Sequence, residues 1–436
     1  MKKTLLKAAS LLFLGATLAA CGNNGNSSGS SEADADGKTT ISFTWWGSEV
    51  RHEKYIESIK EFEKQNPDIK VEYEYGSWDD HWKKLATKAA SGELPDVIQM
   101  DVQYIAQYGT KNQLADMSEF IGDEIQTDDI KESILATGEL DGKVFGIPTS
   151  VNTMAMLYNP SLVEQGGTGI DFSNYTFDDL VESTAAIAEA TGDYGWNDNN
   201  DNSTILQYFL RTKGEDLYQY DADGKPEIGF TKENWIEFMG AIADLTEAKA
   251  MPTAEVTSNA NSMDQYPFSQ GKAAYMMTWS NQYLTYKASA AEDVEINLAR
   301  PFDSENGAMA YRPGFFYSIA NASESKEAAA KFVDFLVNSE EANKIIGTER
   351  GIPSNDAIKE LLYADMTPEE QESSDFLDDI ADIVGDPSPI PPIGFAEINT
   401  YFKELYAEIT YGTMTPEETY DAFTQRCEEI FAENYQ

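Results

Sequence analysis

Histidine and cysteine are almost missing from this chain: its 436 residues hold two of each. His52 and His81 stand in separate stretches of ordinary helical pattern, and no H-E-x-x-H occurs, which excludes the common zinc-protease arrangement. A Ser-His-Asp triad would have to recruit one of those two imidazoles. Two cysteines cannot build a zinc cluster, no glycine-rich loop is shaped to cradle phosphate, and no metal or other cofactor is expected. Long apolar runs are also missing. The longest candidate, residues 11–20 (LLFLGATLAA), falls short of the roughly 20 residues a membrane-spanning helix needs. Positive charge is scarce, with 31 basic residues against 76 acidic ones and a formal net charge of −45. A field of that sign repels nucleic acid and anionic headgroups, so the ligand should be neutral or cationic unless a local arginine overrides it. Seventy-six acids neither show nor exclude the facing carboxylate pair of a surface glycoside hydrolase.

What is present begins with an address. Met1-Lys2-Lys3 is a basic start, residues 11–20 are a short apolar core, and Leu18-Ala19-Ala20-Cys21 resembles a bacterial lipobox. That resemblance implies a signal peptide over residues 1–20, cleavage before Cys21, and lipid on its sulfur. One acyl chain anchors only marginally, so a multiply acylated anchor on the outer face of the cell membrane is expected. Residues 21–38 are Gly/Ser/Asn-rich, then acidic, and read as a flexible tether. The G-x-S-x-G match at Gly25–Gly29 lies inside it, away from the strained turn that motif requires. With Cys21 acylated, only Cys427 remains, so no disulfide within the chain can form. Its helical spacing with Phe423 and Ile430 makes it a core residue.

The remaining 400 or so residues suit two domains rather than one core. A first strand over 39–46 precedes a helical pattern with Tyr55, Ile59 and Phe62. A second strand follows with Ile69, Val71, Tyr73 and Tyr75 alternating, then a helix over 81–91, then a short strand ending at Asp101. This βαβαβ rhythm predicts a doubly wound α/β sheet, whose ligands gather past the carboxyl ends of the strands. Residues 144–158 form an extended run too long for one strand, of the length a crossing between domains needs. Residues 218–228 suit a hairpin closed at Asp223-Gly224, and both T-P-E-E stretches, at Thr367 and Thr415, read as helix starts.

Several stretches in order carry a resemblance: SFTWWG, FEKQNPDIKVEYEYGSWDDHWKKL, GELPDVIQMD, GKVFGIPTSVNTMAMLYNPSL, FSQGKAAYMMTWSNQYL and KEAAAKFVDFLVNSEEA. Together they resemble the carbohydrate-binding, extracytoplasmic solute-binding proteins of ABC importers, the family of maltose-binding protein. The resemblance implies a type II periplasmic-binding-protein-like fold of two α/β lobes closing on a sugar. One lobe would hold residues 39–150 and 299–345, the other 152–297 and 350–436, with crossings near 149–152, 299–302 and 348–352. It further implies a monomer, ABC permease transmembrane subunits as partners, and no catalysis.

A sugar offers C–H faces to aromatic rings and a rim of hydroxyls to planar polar groups. Trp46, ending the first strand beside the core residue Trp45, is a candidate platform, although a central parallel strand is covered on both faces and can bury both rings. Trp78 follows the second strand; Trp196 and Trp279 are candidates from the other lobe. Asp101 either accepts sugar hydroxyls or caps the next helix. Asn152, Tyr311 and Arg312 lie where crossings are expected, and Arg312 either meets a uronic acid or braces the hinge. Trp82 and Trp235 fit helix cores, and residues 198–203 (DNNDNS) read as a solvated turn because the glycine and glutamate of a calcium loop are missing. The alternatives to a sugar are a polyamine, a peptide or another cation.

Overall fold

The computed structural model describes residues 37–260, 262–389 and 391–435. The expected signal peptide, Cys21 and nearly all of the tether lie outside them. The first sheet grows from β1 (Thr39–Trp46), β2 (Ile69–Gly76) and β3 (Val97–Met100), joined by α1 (Glu49–Gln65) and α2 (Trp78–Ser91). The strands are parallel, with β1 central: Thr39 pairs with Ile69, and Phe43 with both Tyr73 and Val97. Ser48 caps α1 and Ser77 caps α2 by accepting main-chain N–H groups, so each strand end turns directly into a helix. α2 therefore begins at Trp78, three residues before the start expected from periodicity. Phe316–Ile319 joins antiparallel to β3, and Ile147–Pro148, antiparallel to it in turn, completes the sheet.

Both faces of this sheet are covered. Ile41, Phe43 and Trp45 pack with Tyr55, Ile59 and Phe62 of α1 on one side. Ile98 and Met100 pack with Trp82 and Leu85 of α2 on the other. Adjacent tryptophans must then enter opposite layers. Trp45 is fully buried and donates its indole N–H to Nδ1 of His52 at 3.0 Å, whereas Trp46 turns to the α2 side and stays half-buried.

The long extended run is shared among three sheets. Ile147–Pro148 closes the first. Ser150–Asn152 is the middle strand of a short sheet between Arg312–Pro313 and Ile352–Pro353. Met154–Tyr158 enters a second sheet, ordered Asn297–Ala299, Met154–Tyr158, Ala273–Trp279, Tyr194–Trp196. Helices flank this second sheet too. Trp235 of Lys232–Glu247 stacks on Phe423 of Pro416–Asn434 at 4.8 Å, and Cys427 is buried beside them. The hairpin Tyr218–Tyr220/Pro226–Ile228 and the capping boxes at Thr367 and Thr415 form where the sequence pattern puts them.

Two stretches lie near expected lobe boundaries. Phe302, at the end of the crossing expected over 299–302, is buried against Phe177 and Tyr208 beside the second sheet, and Tyr175 donates to the Arg300 carbonyl at 3.1 Å. Arg312–Pro313 pairs with Val151 and Asn152 in the short sheet. Past residue 350, the Asp356 N–H at the start of the helix Asp356–Tyr363 donates to the Asp129 carbonyl at 2.8 Å.

Candidate functional site

Two adjoining chambers open between the lobes. One, of about 410 Å³, is lined by Trp46, Arg51, Trp78, Asp101, Asn152 and Glu349 among others. The other, of about 210 Å³, is lined by Gln103, Asp201, Gln207, Trp279, Tyr311 and Arg312 among others. Chain neighbours are divided between them: Asp101 faces one and Val102 the other, as do Ser280 and Trp279. Together they fall in the range of about 300–1,000 Å³ usual for ligand pockets.

The first chamber is built at strand ends. The ring of Trp46 meets Trp78 edge-on at 5.0 Å between centroids and Phe315 at 5.7 Å, and Trp82 supports it from the core side at 5.6 Å. Trp46 is thus neither free in solvent nor closed in the core. Asp101 directly follows β3, and of the two roles foreseen for it the helix cap is the one the hydrogen bonds display. Its carboxylate accepts the Gln103 N–H at 2.9 Å, capping the helix Val102–Thr110, and it also lines the chamber. Burial pushes its pKa up, and this is opposed by the Arg312 charge and the Gln103 N–H.

The second chamber is organised about Trp279. Its indole N–H donates to the Asp201 carboxylate at 3.2 Å, and the Arg312 guanidinium lies over the ring, 4.5 Å from its centroid. Arg312 pairs through its main chain with Asn152, so the two expected crossing residues are fixed side by side. Tyr311, buried, forms the adjoining wall, and burial lifts its phenol to about 12.

Of the eight candidate residues, seven line these two chambers. Trp196 does not. It is 1 % exposed, on the edge strand of the second sheet opposite Tyr275, and its indole N–H finds no partner among the described residues. The aromatic-rich turn around it folds inward because Gly195 brings the strand close against Thr184.

The sequence pattern missed other lining groups. Arg51 and Glu349 form a two-pronged ion pair, with Nε to carboxylate oxygens at 2.8 and 3.1 Å, and Arg51 also donates to the Trp46 carbonyl at 3.3 Å. Almost 300 residues separate them, and nothing local marks either. Asp201 stood inside the supposed solvated turn. That turn is not solvated: Asp198 is 1 % exposed and accepts from the Asn200 N–H at 3.1 Å and the Thr257 hydroxyl at 3.2 Å. Burial raises its pKa to about 6. Among the described residues no cluster of three His, Cys, Asp or Glu is placed to hold a metal ion.

Two α/β lobes, exchanged through a short three-stranded sheet and lined at the cleft by indoles, define a binding protein of the periplasmic type. The profile of the bacterial extracellular solute-binding proteins matches residues 57–372, and the chain belongs to that family. Among curated proteins it is 26 % identical over 323 residues to a maltooligosaccharide ABC transporter solute-binding lipoprotein of Streptococcus pneumoniae R6, with 70 % of each chain covered. It is 25 % identical over 321 residues to an arabinooligosaccharide-binding protein of Bacillus subtilis 168, with 71 % of each covered. Among solved structures, a family 1 extracellular solute-binding protein from Alicyclobacillus acidocaldarius superposes with a TM-score of 0.74 at 26 % identity, covering 91 % of this chain and all of that one.

Proposed function

We propose that this protein captures an oligosaccharide between its lobes and presents it to the transmembrane subunits of an ABC permease, held to the outer face of the membrane by lipid on Cys21. The observation that carries the sugar reading is the three indoles lining adjoining chambers. Trp46 and Trp78 stand on the first lobe, and Trp279 on the second, among carboxylate, amide and guanidinium groups. Hiding one sugar face on a ring is worth on the order of 1 kcal/mol, so two or three rings with hydrogen bonds support micromolar affinity, about 8 kcal/mol. The relatives named for maltooligosaccharides and arabinooligosaccharides support the same ligand class.

In this reading the lobes comprise residues 39–149, 314–346 and 356–363 on one side, and 153–311 and 368–435 on the other. Ligand binding draws them together, and the closed shape is what the permease recognises. A polyamine or other cation fits less well, because Arg312 places a fixed positive charge in the cleft.

The engagement of the cleft acids supports a reading of binding without catalysis. Asp101 caps a helix, Asp201 holds an indole, Glu349 pairs with Arg51, and Glu370 accepts the Thr348 hydroxyl. Both histidines are buried, and burial lowers the pKa of His81 to about 4. The test is a thermal-shift screen against maltooligosaccharides, arabinooligosaccharides, galacturonides, polyamines and short peptides. A ligand at 100 times its Kd adds about 2.7 kcal/mol of stability. A saccharide alone should raise Tm and be recovered uncut; stabilisation by polyamine or peptide only, or saccharide cleavage, contradicts the proposal.

A further inference from the structure

Trp279 has two faces, and Arg312 covers only one of them. The same indole, together with Asp201, also walls a further chamber of about 280 Å³, so the pair forms a partition between this space and the Arg312 chamber. The further chamber is lined by Asn199, Met263, Tyr266, Thr278, Gln282 and Tyr286 among others. The two spaces meet at Trp279 and Asp201, which line both, so a chain bound on one side of the indole can be continued on the other.

Its chemistry repeats that of the cleft. Tyr266 is half-buried and meets Tyr286 edge-on at 6.2 Å, and the Tyr266 hydroxyl accepts from the Asn200 amide at 3.2 Å, which fixes the ring. Asn199 is fixed too: its amide N–H donates to the Met277 carbonyl at 3.0 Å and its oxygen accepts the Asp201 N–H at 2.9 Å. Since Asp201 orients Trp279, the floor of the further chamber and the partition form one hydrogen-bonded unit. Gln282, half-buried on the wall, has both a donor and an acceptor to offer a hydroxylated ligand.

We infer that a saccharide chain continues past Trp279 into this chamber, stacking on the indole face that Arg312 leaves uncovered, and that Tyr266 is the contact that sets ligand length. The inference rests on the proposed oligosaccharide capture. It makes the ligand a chain of three or more units rather than a mono- or disaccharide.

The test is calorimetric titration of the wild type, Tyr266→Ala and Tyr266→Phe with two ladders, maltose to maltohexaose and arabinobiose to arabinohexaose. Wild-type affinity should rise with length in one ladder. Tyr266→Ala should lower affinity for the longest members roughly 5-fold and leave the shortest unchanged, whereas Tyr266→Phe, which keeps the ring, should match wild type. If Tyr266→Ala does not fold, as judged by its melting transition, Gln282→Ala carries the same length-dependent readout. A flat ladder in the wild type, or a loss equal at every length, overturns the inference and leaves sugar capture standing. Absence of saturable heat with either ladder overturns the inference, and overturns sugar capture as well when galacturonides also fail to raise Tm.

Discussion

The Arg312 guanidinium rests 4.5 Å above the indole of Trp279, tying the crossing strand to the end of the second sheet. An arginine on an aromatic face keeps its edge donors available while the ring supports its plane. Arg51 and Arg211 also line the cleft but are held by Glu349 and Asp216. Arg350, which also lines the first chamber, is held by Tyr317, Leu336 and Asn343, so among the described cleft arginines Arg312 is the one whose donors can turn to a ligand. Replacing it by methionine keeps the stem and removes those donors. Arg312→Met should weaken oligosaccharide binding about tenfold, in line with the 1.5–3 kcal/mol of a hydrogen bond to a charged group. Calorimetry checks this, and unchanged affinity would reduce Arg312 to a brace.

Trp46 and Trp196 should respond oppositely. Trp46→Ala removes a platform, so affinity should fall about tenfold, with some loss of Tm because the ring also packs on Trp78 and Trp82. Trp196→Phe should leave affinity unchanged, and Trp196→Ala should cost about 3–5 kcal/mol of stability as a core cavity. Parallel titration and denaturant melts of the three variants separate the two roles.

That contrast shows how far the sequence carries. The β1–β3 rhythm, the hairpin and the two capping boxes were legible because their signals are local: period-two apolar residues, Asp-Gly, and Thr-Pro-Glu-Glu. Seven of the eight candidate residues line the two chambers, and Trp46, Trp78 and Asp101 among them follow from strand ends that the pattern marks. Trp196 went astray because a tryptophan in a polar turn looks the same whether it faces outward or folds under Gly195. The Arg51–Glu349 pair was invisible, since its partners meet only after most of the chain has been placed. The crossings near 299–302 and 348–352 came only from the family resemblance, because a short apolar segment returning to a lobe carries no local mark of which lobe receives it.

Asp198 gives a pH prediction. Its pKa is raised to about 6 by burial, above the ordinary carboxylate value, so the folded state binds its proton more tightly than the unfolded state does. Its ionised form therefore penalises folding above about pH 6, and the penalty vanishes as pH falls below about 4. Asp198→Asn keeps an acceptor for the Asn200 N–H and Thr257 hydroxyl without the charge. It should raise stability at pH 7 by on the order of 1–3 kcal/mol, with the gain shrinking toward pH 4. Melting curves of both proteins across that range check the sign; a gain that grows on acidification contradicts it.

Thr415 tests the helix that backs Trp235. Its hydroxyl accepts the Glu418 N–H at 3.2 Å while the Glu418 carboxylate accepts the Thr415 N–H at 2.9 Å. Thr415→Ala should cost about 1 kcal/mol in urea denaturation without altering ligand affinity, because the cap lies in the helical layer away from the cleft.

Indoles on facing lobes holding a saccharide are tested most directly by one titration. Wild type and the double variant Trp46→Ala/Trp279→Ala would be titrated with maltotetraose and arabinotetraose under identical conditions. Saturable single-site binding of at least one sugar by the wild type, weakened roughly 30- to 100-fold in the double variant, is the expected result. A double variant that binds as tightly as wild type, or a wild type that binds neither, would contradict it.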